Sequence, residues 1–206
     1  MIFKKTKNTD SRNKVVLFLG IAIIFLTAGC ATKVKTPETT QNPVPSEPFS
    51  NFSKFDVKPI NQGLGCDKQR GADDALNAIQ QKLDNRLGGL VAAWNTASPV
   101  KKNSRTLIIE PICSNAKLIS PSARIFGGAF VGSSAVVLNV RYTDAMTGKV
   151  IAEPVFYQHA NMMGSGYSFG ATDRDMLDRI ASMITTYTSK NYENAVGGPT
   201  GLEIQN

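Results

Sequence analysis

Apolar side chains recur every three to four residues along two stretches of the chain, and each stretch predicts an amphipathic helix. The first runs from Asp73 to Asn95, and the second begins at Thr172 and continues to about Tyr192. A Gly88-Gly89 pair interrupts the first stretch and predicts either a kink or a close contact between helix and sheet. The two stripes consist of Leu76, Ile79, Leu83, Leu87, Leu90 and Trp94, and of Leu177, Ile180, Ile184 and Tyr187.

Four further segments have the length and the pattern of β-strands. Phe52–Ile60 alternates between apolar and polar residues, and Arg105–Cys113 is almost continuously apolar, as in a central strand. Ser134–Thr143 and Val150–His159 flank a glycine-bearing turn and predict a hairpin. The order strand–helix–strand–strand–strand–helix predicts an α/β (α+β) fold, with two main helices on a single mixed four-stranded sheet.

Composition divides the 206 residues into an export segment, a linker, one domain and a tail. Residues 1–29 are predicted to form a cleaved signal peptide, and residues 30–50 consist of Cys30 followed by a Pro- and Thr-rich tether. Such a tether would reach roughly 60 Å when fully extended. We expect residues 51–195 to form the globular domain and residues 196–206 to form a flexible tail.

The beginning of the chain has the parts of a bacterial secretory signal. Basic residues precede an apolar run from Val15 to Ala28, and small residues follow it. As a helix, this run would be about 21 Å long, which is shorter than the hydrocarbon core of roughly 30 Å. A cleaved signal is therefore favoured over its alternative, an uncleaved signal anchor.

The residues at the end of this signal resemble the lipobox of bacterial lipoproteins. In that family a small-residue tripeptide precedes the cysteine, and here Leu26-Thr27-Ala28-Gly29 precedes Cys30, with Thr27 where the pattern prefers Leu. The resemblance implies that Cys30 carries a thioether-linked diacylglycerol and an amide-linked chain such as palmitate. Three such chains hold a protein at a bilayer. By the same resemblance, Ala31 favours export to the outer membrane, with the domain facing the periplasm.

The signal peptide also contributes much of the positive charge. The formal net charge of the whole chain is +7, and residues 1–29 hold five bases and one acid. Their removal leaves 18 bases and 15 acids, a net charge of +3. The densest basic pair elsewhere is Lys101-Lys102, so no nucleic-acid partner is predicted.

Two of the three cysteines, Cys66 and Cys113, lie in the predicted domain. A strand–helix–strand unit makes its two strands parallel and usually adjacent. The loop after the first strand and the end of the second then lie at the same edge of the sheet. Because exported proteins meet an oxidising compartment, we predict a Cys66–Cys113 disulfide, with two free thiols as the alternative.

No pattern typical of a catalytic or cofactor site emerges. Gly63-Leu64-Gly65 lies where a dinucleotide loop would, but Lys68 replaces the third glycine of that fingerprint. Residues 164–166 lack the spacing of a serine-hydrolase elbow, and His159 is the only histidine. We therefore expect no catalytic residue, no metal, no cofactor and no nucleotide, and a protein that is not an enzyme. The carboxylates that could still meet in the fold are Glu110, Asp144, Glu153, Asp173 and Asp175.

Two Gly-rich apolar segments, residues 125–134 and 162–170, keep open roles. The first suits a flexible entry to the third strand, and its alternative is an apolar surface loop for a partner. The second contains methionine and aromatic residues, which suit a binding surface and equally suit packing under a helix.

Several pieces of the chain resemble an uncharacterised family of bacterial envelope lipoproteins, domain of unknown function 4410. These pieces are Phe55–Ile60, Arg124–Gly132, Asp144–Ile151 and the terminal helix Ala181–Tyr192, within a resemblance that spans roughly Phe52 to Tyr192. More distantly, the layout is similar to the α/β domains of the TolB amino-terminal region, of the curli-secretion lipoprotein and of lipoproteins that activate penicillin-binding proteins.

Those relatives are binding or assembly modules, and the resemblance implies a similar role here. The first hypothesis is an outer-membrane-anchored, non-enzymatic module that binds another envelope component. The alternatives are a structural subunit of a larger envelope assembly, an enzyme of undetected type and a carrier of a small ligand.

Overall fold

The elements follow the apolar pattern of the sequence, and the boundaries of several strands lie at proline. The computed structural model describes residues 34–66, 71–97, 104–119, 132–160 and 171–202. The strands are β1 (Gln41–Asn42), β2 (Lys54–Val57), β3 (Asn61–Gln62), β4 (Thr106–Lys117), β5 (Ala135–Asp144), β6 (Val150–Ala152), β7 (Val155–His159) and β8 (Gly198–Pro199). The helices are α1 (Ala72–Leu83), α2 (Gly89–Ala97) and α3 (Ala171–Lys190).

The main sheet is mixed, as the sequence predicts. Strands β2 and β3 run parallel to β4, while β5 lies antiparallel on the other side of β4. Strands β6 and β7 both pair antiparallel with β5. The α+β class, the helical segment between β2 and β4, and the helix after β7 are confirmed.

The main sheet has six strands rather than the expected four. Pro59 separates β2 from β3, and Pro154 separates β6 from β7, so the first and the last predicted strands are each divided in two. Proline cannot donate a ladder hydrogen bond, and it interrupts a strand at such a position. The sequence therefore predicts the path of the chain correctly but miscounts the strands.

A π-helical turn, Asp84–Gly88, joins α1 to α2. Such a turn inserts an additional residue into the helix, so the buried face moves from the predicted Leu90 to Val91. A Cβ added at Gly88 would meet only the Leu83 carbonyl oxygen, at 3.9 Å, and one added at Gly89 would meet nothing within 4 Å. The glycine pair therefore marks a helix irregularity and not a close helix–sheet contact.

The helices cover one face of the sheet and form the core with it. The core residues of β5 alternate along the strand and face the same side as those of β4. Helices α1 and α3 also pack against each other. No helix in the described part of the chain is long and apolar enough to cross a membrane. The larger side chains that the two central strands contribute to this core are Leu107, Ile109, Cys113, Val136, Leu138, Val140 and Tyr142.

The ordered fold extends beyond the predicted domain limits of residues 51 and 195. Gln41–Asn42 pairs antiparallel with Gly198–Pro199, and Phe49 is completely buried. The prediction of a tether up to residue 50 and of a flexible tail from residue 196 is therefore wrong for these residues. Their pairing partners lie at the other end of the chain, and a local pattern cannot reveal them.

Candidate functional site

Residues Gln41–Phe52, called the strap below, run along one edge of the sheet. The Asn42 carboxamide donates to the Val155 carbonyl oxygen at 3.0 Å and accepts from the Val155 N–H at 2.7 Å. Further along, the Ser46 N–H donates to the Ile151 carbonyl oxygen at 2.9 Å. Because Asn42 and Ser46 meet Val155 and Ile151 in reverse order, the strap lies antiparallel to β6 and β7. The segment after the predicted acylation site is thus held against the edge of the main sheet.

A side-chain amide closes the opposite edge in the same way. The Asn95 carboxamide accepts from the Phe55 N–H at 2.8 Å and donates to the Phe55 carbonyl oxygen at 2.9 Å. The Gln80 side chain accepts from the Ile60 N–H at 2.8 Å. An edge whose backbone groups are already paired does not recruit another strand at those positions. A partner strand is therefore not expected at these edge positions, and the faces of the sheet are the surfaces left for binding.

An ionic cluster joins the strap to the end of the sheet. The Arg105 guanidinium donates to both carboxylate oxygens of Glu47, at 2.7 and 2.9 Å. It also donates twice to Asp144 Oδ2, at 3.0 and 2.8 Å. The guanidinium carbon lies 4.2 Å from the centre of the Phe52 ring, in cation–π geometry. The strap, the start of β4 and the end of β5 therefore meet at Arg105.

The cluster stabilises the ionised form of each member. Hydrogen bonds from Arg105 lower the pKa of Glu47 to about 2, although partial burial opposes this shift. Burial also opposes ionisation of Asp144, but the Met146 N–H and the Arg105 guanidinium outweigh it and hold the pKa of Asp144 below its usual range. All three groups therefore stay charged at any physiological pH, and the cluster serves structure rather than proton transfer.

The chain after α3 folds back around Asn191. The side-chain oxygen of Asn191 accepts from the N–H groups of Val196 and Gly197, both at 2.8 Å. Its amide nitrogen donates to the carbonyl oxygens of Tyr187 and Gly197. The Phe49 N–H donates to the Asn191 carbonyl oxygen at 3.0 Å. Both ends of the domain are thus tied to each other and to α3.

A cleft of about 490 Å³ lies between the chain that precedes the strap and the face of the sheet opposite the helices. Its floor is formed by alternate residues of β5 and β7, among them Val137, Asn139 and Val155. A β-bulge at Ser114 shifts the register of β4 at the end of this floor, and bulges often redirect side chains at functional sites. The charged and polar groups of the lining include Lys35, Glu38, Gln41, Ser114, Asn115 and Glu153.

The Cys66–Cys113 disulfide holds the turn Gly63–Cys66 against β4 beside this bulge. The structure contains this bond, as the sequence predicts, with 6.1 Å between the two Cα atoms. The Gly63 N–H donates to the Cys113 carbonyl oxygen at 3.0 Å. A Cβ at Gly63 or Gly65 would collide with the carbonyl oxygen of Cys113 or of Ser114. Only glycine allows the turn to lie this close to the strand.

Replacing both cysteines by alanine should lower the free energy of unfolding by about 3 to 4 kcal/mol, because the disulfide closes a long loop of the unfolded chain. Chemical denaturation of the oxidised protein and of the Cys66→Ala/Cys113→Ala variant measures this difference. Reduction of the wild-type protein provides the control, since it breaks the bond without changing the sequence. Equal stability of all three samples would contradict the prediction.

The candidate catalytic residues do not come together as one site. Asp144 pairs with Arg105, whereas Glu153 pairs with Arg141 at the surface, 2.8 Å apart. Glu110 lies opposite Arg141 in the β4–β5 register. The His159 ring stacks with that of Tyr157, with 5.8 Å between the ring centres. Asp173 and Asp175 lie in the first turns of α3.

A second concavity on the helical side is also built from paired charges. Asp178 of α3 accepts from Lys82 at 2.9 Å. Its two carboxylate oxygens also accept from Nη2 of Arg86, at 3.0 and 2.9 Å. Hydrogen bonds from Lys82 lower the pKa of Asp178. Among the described residues, no group of three or more His, Cys, Asp or Glu side chains could hold a metal ion. This surface therefore ties α1 and the π turn to α3.

Several predicted residues lie outside the described part of the chain. Cys30 is among them, so its acylation remains a prediction. Most of the segment 125–134 and all of the segment 162–170 also lie outside, and their roles stay open. Sequence reasoning missed Asn42, Glu47 and Asn95, because each acts through a partner distant in sequence. The available signals for the strap are Phe49 and Phe52, two aromatic residues in a Pro-rich stretch whose one other large apolar residue is Val44.

The comparisons with known proteins reveal distant structural similarity only. No family model matches the chain, and neither does any curated protein. The resemblances stated from the sequence therefore remain predictions at the level of a named family.

Three solved structures illustrate the similarity. PelC of Paraburkholderia phytofirmans, solved as a dodecamer, is 13% identical over 73% of this chain and 97% of its own, with a TM-score of 0.38. Protein XCC0632 of Xanthomonas campestris, from the domain of unknown function 330 family, is 11% identical over 77% of this chain and 96% of its own, with a TM-score of 0.40. A candidate lipoprotein of Caulobacter crescentus CB15 is 12% identical over 64% of this chain and 89% of its own, with a TM-score of 0.33.

Proposed function

We propose that this chain is a bacterial envelope lipoprotein, acylated at Cys30, that acts as a non-enzymatic binding or assembly module for another envelope component. The lipobox resemblance at Leu26–Cys30 supports the anchor. The fully buried Cys66–Cys113 disulfide supports export, because such bonds form and persist in oxidising compartments. The domain faces the periplasm from the outer membrane in this proposal.

The observation that carries the proposal is the attachment of the segment that follows Cys30 to the folded domain. The Thr200 hydroxyl donates to the Thr39 carbonyl oxygen at 2.7 Å, and the Thr200 N–H donates to the Thr40 carbonyl oxygen at 2.9 Å. From Thr39 onward the chain is held by the fold. The residues between Cys30 and Thr39, called the leash below, can separate these two residues by at most about 32 Å when fully extended. The anchor therefore fixes the domain close to the bilayer.

The cleft is the surface that we assign to the partner. Its wall is the chain that leads to Cys30, and its floor combines the apolar Val137 and Val155 with the polar Asn139. Apolar walls with a few polar groups are typical of binding pockets. The carboxylates of Asp144, Glu153 and Asp178 are engaged in ion pairs, which supports a binding role over a catalytic one.

A photo-crosslinking amino acid at Asn139, in the full chain expressed in cells, should capture one dominant envelope component. The same amino acid at Val150, which is exposed on β6 outside the cleft, provides the position control. Mass spectrometry identifies the captured molecule, and co-purification with the uncrosslinked chain verifies it.

Cys30→Ala provides the anchor control for this experiment. Loss of the crosslink in Cys30→Ala would support the anchored module. Capture of a second copy of this chain would favour the alternative of a structural subunit. Equal products at Asn139 and at Val150, or none at either, would contradict the assignment of the cleft.

A further inference from the structure

Leu64 is unusual among the apolar residues of the described chain. It lies at the tip of the turn Gly63–Cys66, and its side chain is 90% exposed. The other large apolar side chains at the described surface are less exposed, with Met146 next at 73%. A single exposed leucine is ordinary in itself, so its meaning depends on how it is held and on what lies beside it.

The turn presents Leu64 rigidly. The disulfide fixes Cys66 to β4, the Cys66 N–H donates to the Gly63 carbonyl oxygen at 2.9 Å, and the Gly63 N–H donates to Cys113. Gly63 and Gly65 already touch the backbone of β4 so closely that no Cβ fits between them. The turn therefore cannot move toward the sheet to bury its leucine.

The chain that follows the proposed anchor reaches the same end of the sheet as the turn Gly63–Cys66. Ser114 and Asn115 lie against Gly65 on one side, and they line the cleft together with Lys35 on the other. Cys30 precedes Lys35 by five residues, which span at most about 18 Å. An acylated Cys30 therefore brings the bilayer surface close to this end of the domain and to Leu64.

We propose that the turn Gly63–Cys66 docks on the phospholipid bilayer and that Leu64 enters the boundary between headgroups and acyl chains. The inference rests on the proposed acylation of Cys30. The acyl chains supply the affinity, and Leu64 fixes the orientation, because a second contact point prevents the domain from turning on its leash. The cleft beside the turn then opens close to the membrane surface, where a partner in the envelope would meet it.

Tryptophan substitution tests the contact on the full acylated chain. Leu64→Trp and the control Met146→Trp are each reconstituted in phosphatidylethanolamine/phosphatidylglycerol vesicles with and without brominated acyl chains. Met146 is a matched control, because it is also an exposed apolar residue in a turn. Its neighbour Ala145 donates its N–H to the Thr106 carbonyl oxygen. Thr106 begins β4, seven residues before Cys113, to which the turn of Leu64 is bonded. The two probes are therefore about 23 Å apart along the strand. The wild-type protein, which contains only Trp94, sets the baseline.

The emission that Leu64→Trp adds to the wild-type baseline should shift to the blue and fall by more than half with brominated lipid. The emission that Met146→Trp adds should be unchanged by bromination. Equal quenching of the two probes, while the wild-type protein still floats with the vesicles, would overturn the docking of Leu64 and leave the proposed anchor intact. Failure of the wild-type protein to float would overturn both. Shielding of Leu64→Trp in cell envelopes but not in vesicles would indicate a protein occupant, and it would also overturn the inference.

Discussion

Arg105→Ala is expected to lower the free energy of unfolding by about 2 to 3 kcal/mol, because removal of one member of a largely buried ion cluster leaves the other charges without compensation. The guanidinium holds Glu47 of the strap and Asp144 of β5 with four hydrogen bonds. The variant also loses the contact of the guanidinium with the Phe52 ring. Urea denaturation followed by circular dichroism measures the difference.

Arg141→Ala is the matched control for this variant. Arg141 also pairs with a carboxylate through two hydrogen bonds, to Glu153, but both side chains are more than 40% exposed. Exposed ion pairs contribute about 0 to 1 kcal/mol. Equal losses in the two variants would show that the Arg105 cluster gains nothing from its burial, and would contradict the role assigned to it.

The same cluster predicts a dependence of stability on acid. The folded-state pKa of Glu47 lies near 2, below its ordinary value of 4.5. A lowered pKa adds stability above the ordinary value, and this contribution is lost as the pH falls from about 4.5 through 2. Arg105→Ala should therefore flatten the loss of stability over this range. An unchanged slope would show that Glu47 does not depend on Arg105.

The sequence predicts those parts of the fold in which neighbouring residues share one environment. The apolar stripe of α1 and the apolar run of β4 are of this kind. In each, the apolar residues that recur along the element pack against the same neighbouring layer of the fold, so the sequence shows a regular pattern. The Cys66–Cys113 bond could also be predicted, since the parallel arrangement of the strands around a helix brings the two positions to one edge.

The strap could not be predicted for the opposite reason. Asn42 pairs through its side chain, Ser46 through one N–H and Glu47 through a salt bridge, so the segment has no apolar period. The partners of Asn42 and Ser46 lie about one hundred residues later, in β7 and β6, and Arg105, the partner of Glu47, lies 58 residues later. The cleft depends on the strap and on the bulge at Ser114, and neither has a local signature. The predicted tether of 60 Å therefore becomes a much shorter leash.

Phe49→Ala is expected to cost about 3 to 5 kcal/mol, the range for removing a large aromatic side chain from a core. Phe49 is fully buried, and its ring stacks on that of Tyr142 with 4.8 Å between the ring centres. It also contacts Tyr187 of α3, at 6.4 Å between centres. A residue from the Pro-rich segment thus completes the aromatic core, and its truncation should leave a cavity between β5 and α3.

Val44→Ala provides the control within the same strap, because Val44 is 58% exposed and its truncation should change stability by less than about 0.5 kcal/mol. A chain that begins at Asn51 gives the stronger version of the test. It lacks Asn42, Glu47 and Phe49 together, so we expect it to unfold without a cooperative transition. Cooperative unfolding of that chain with wild-type stability would show that the strap is a tether after all. The proposed anchor at Cys30 would then be free of the sheet, and the short leash on which the proposed membrane-proximal placement of the domain rests would be lost with it.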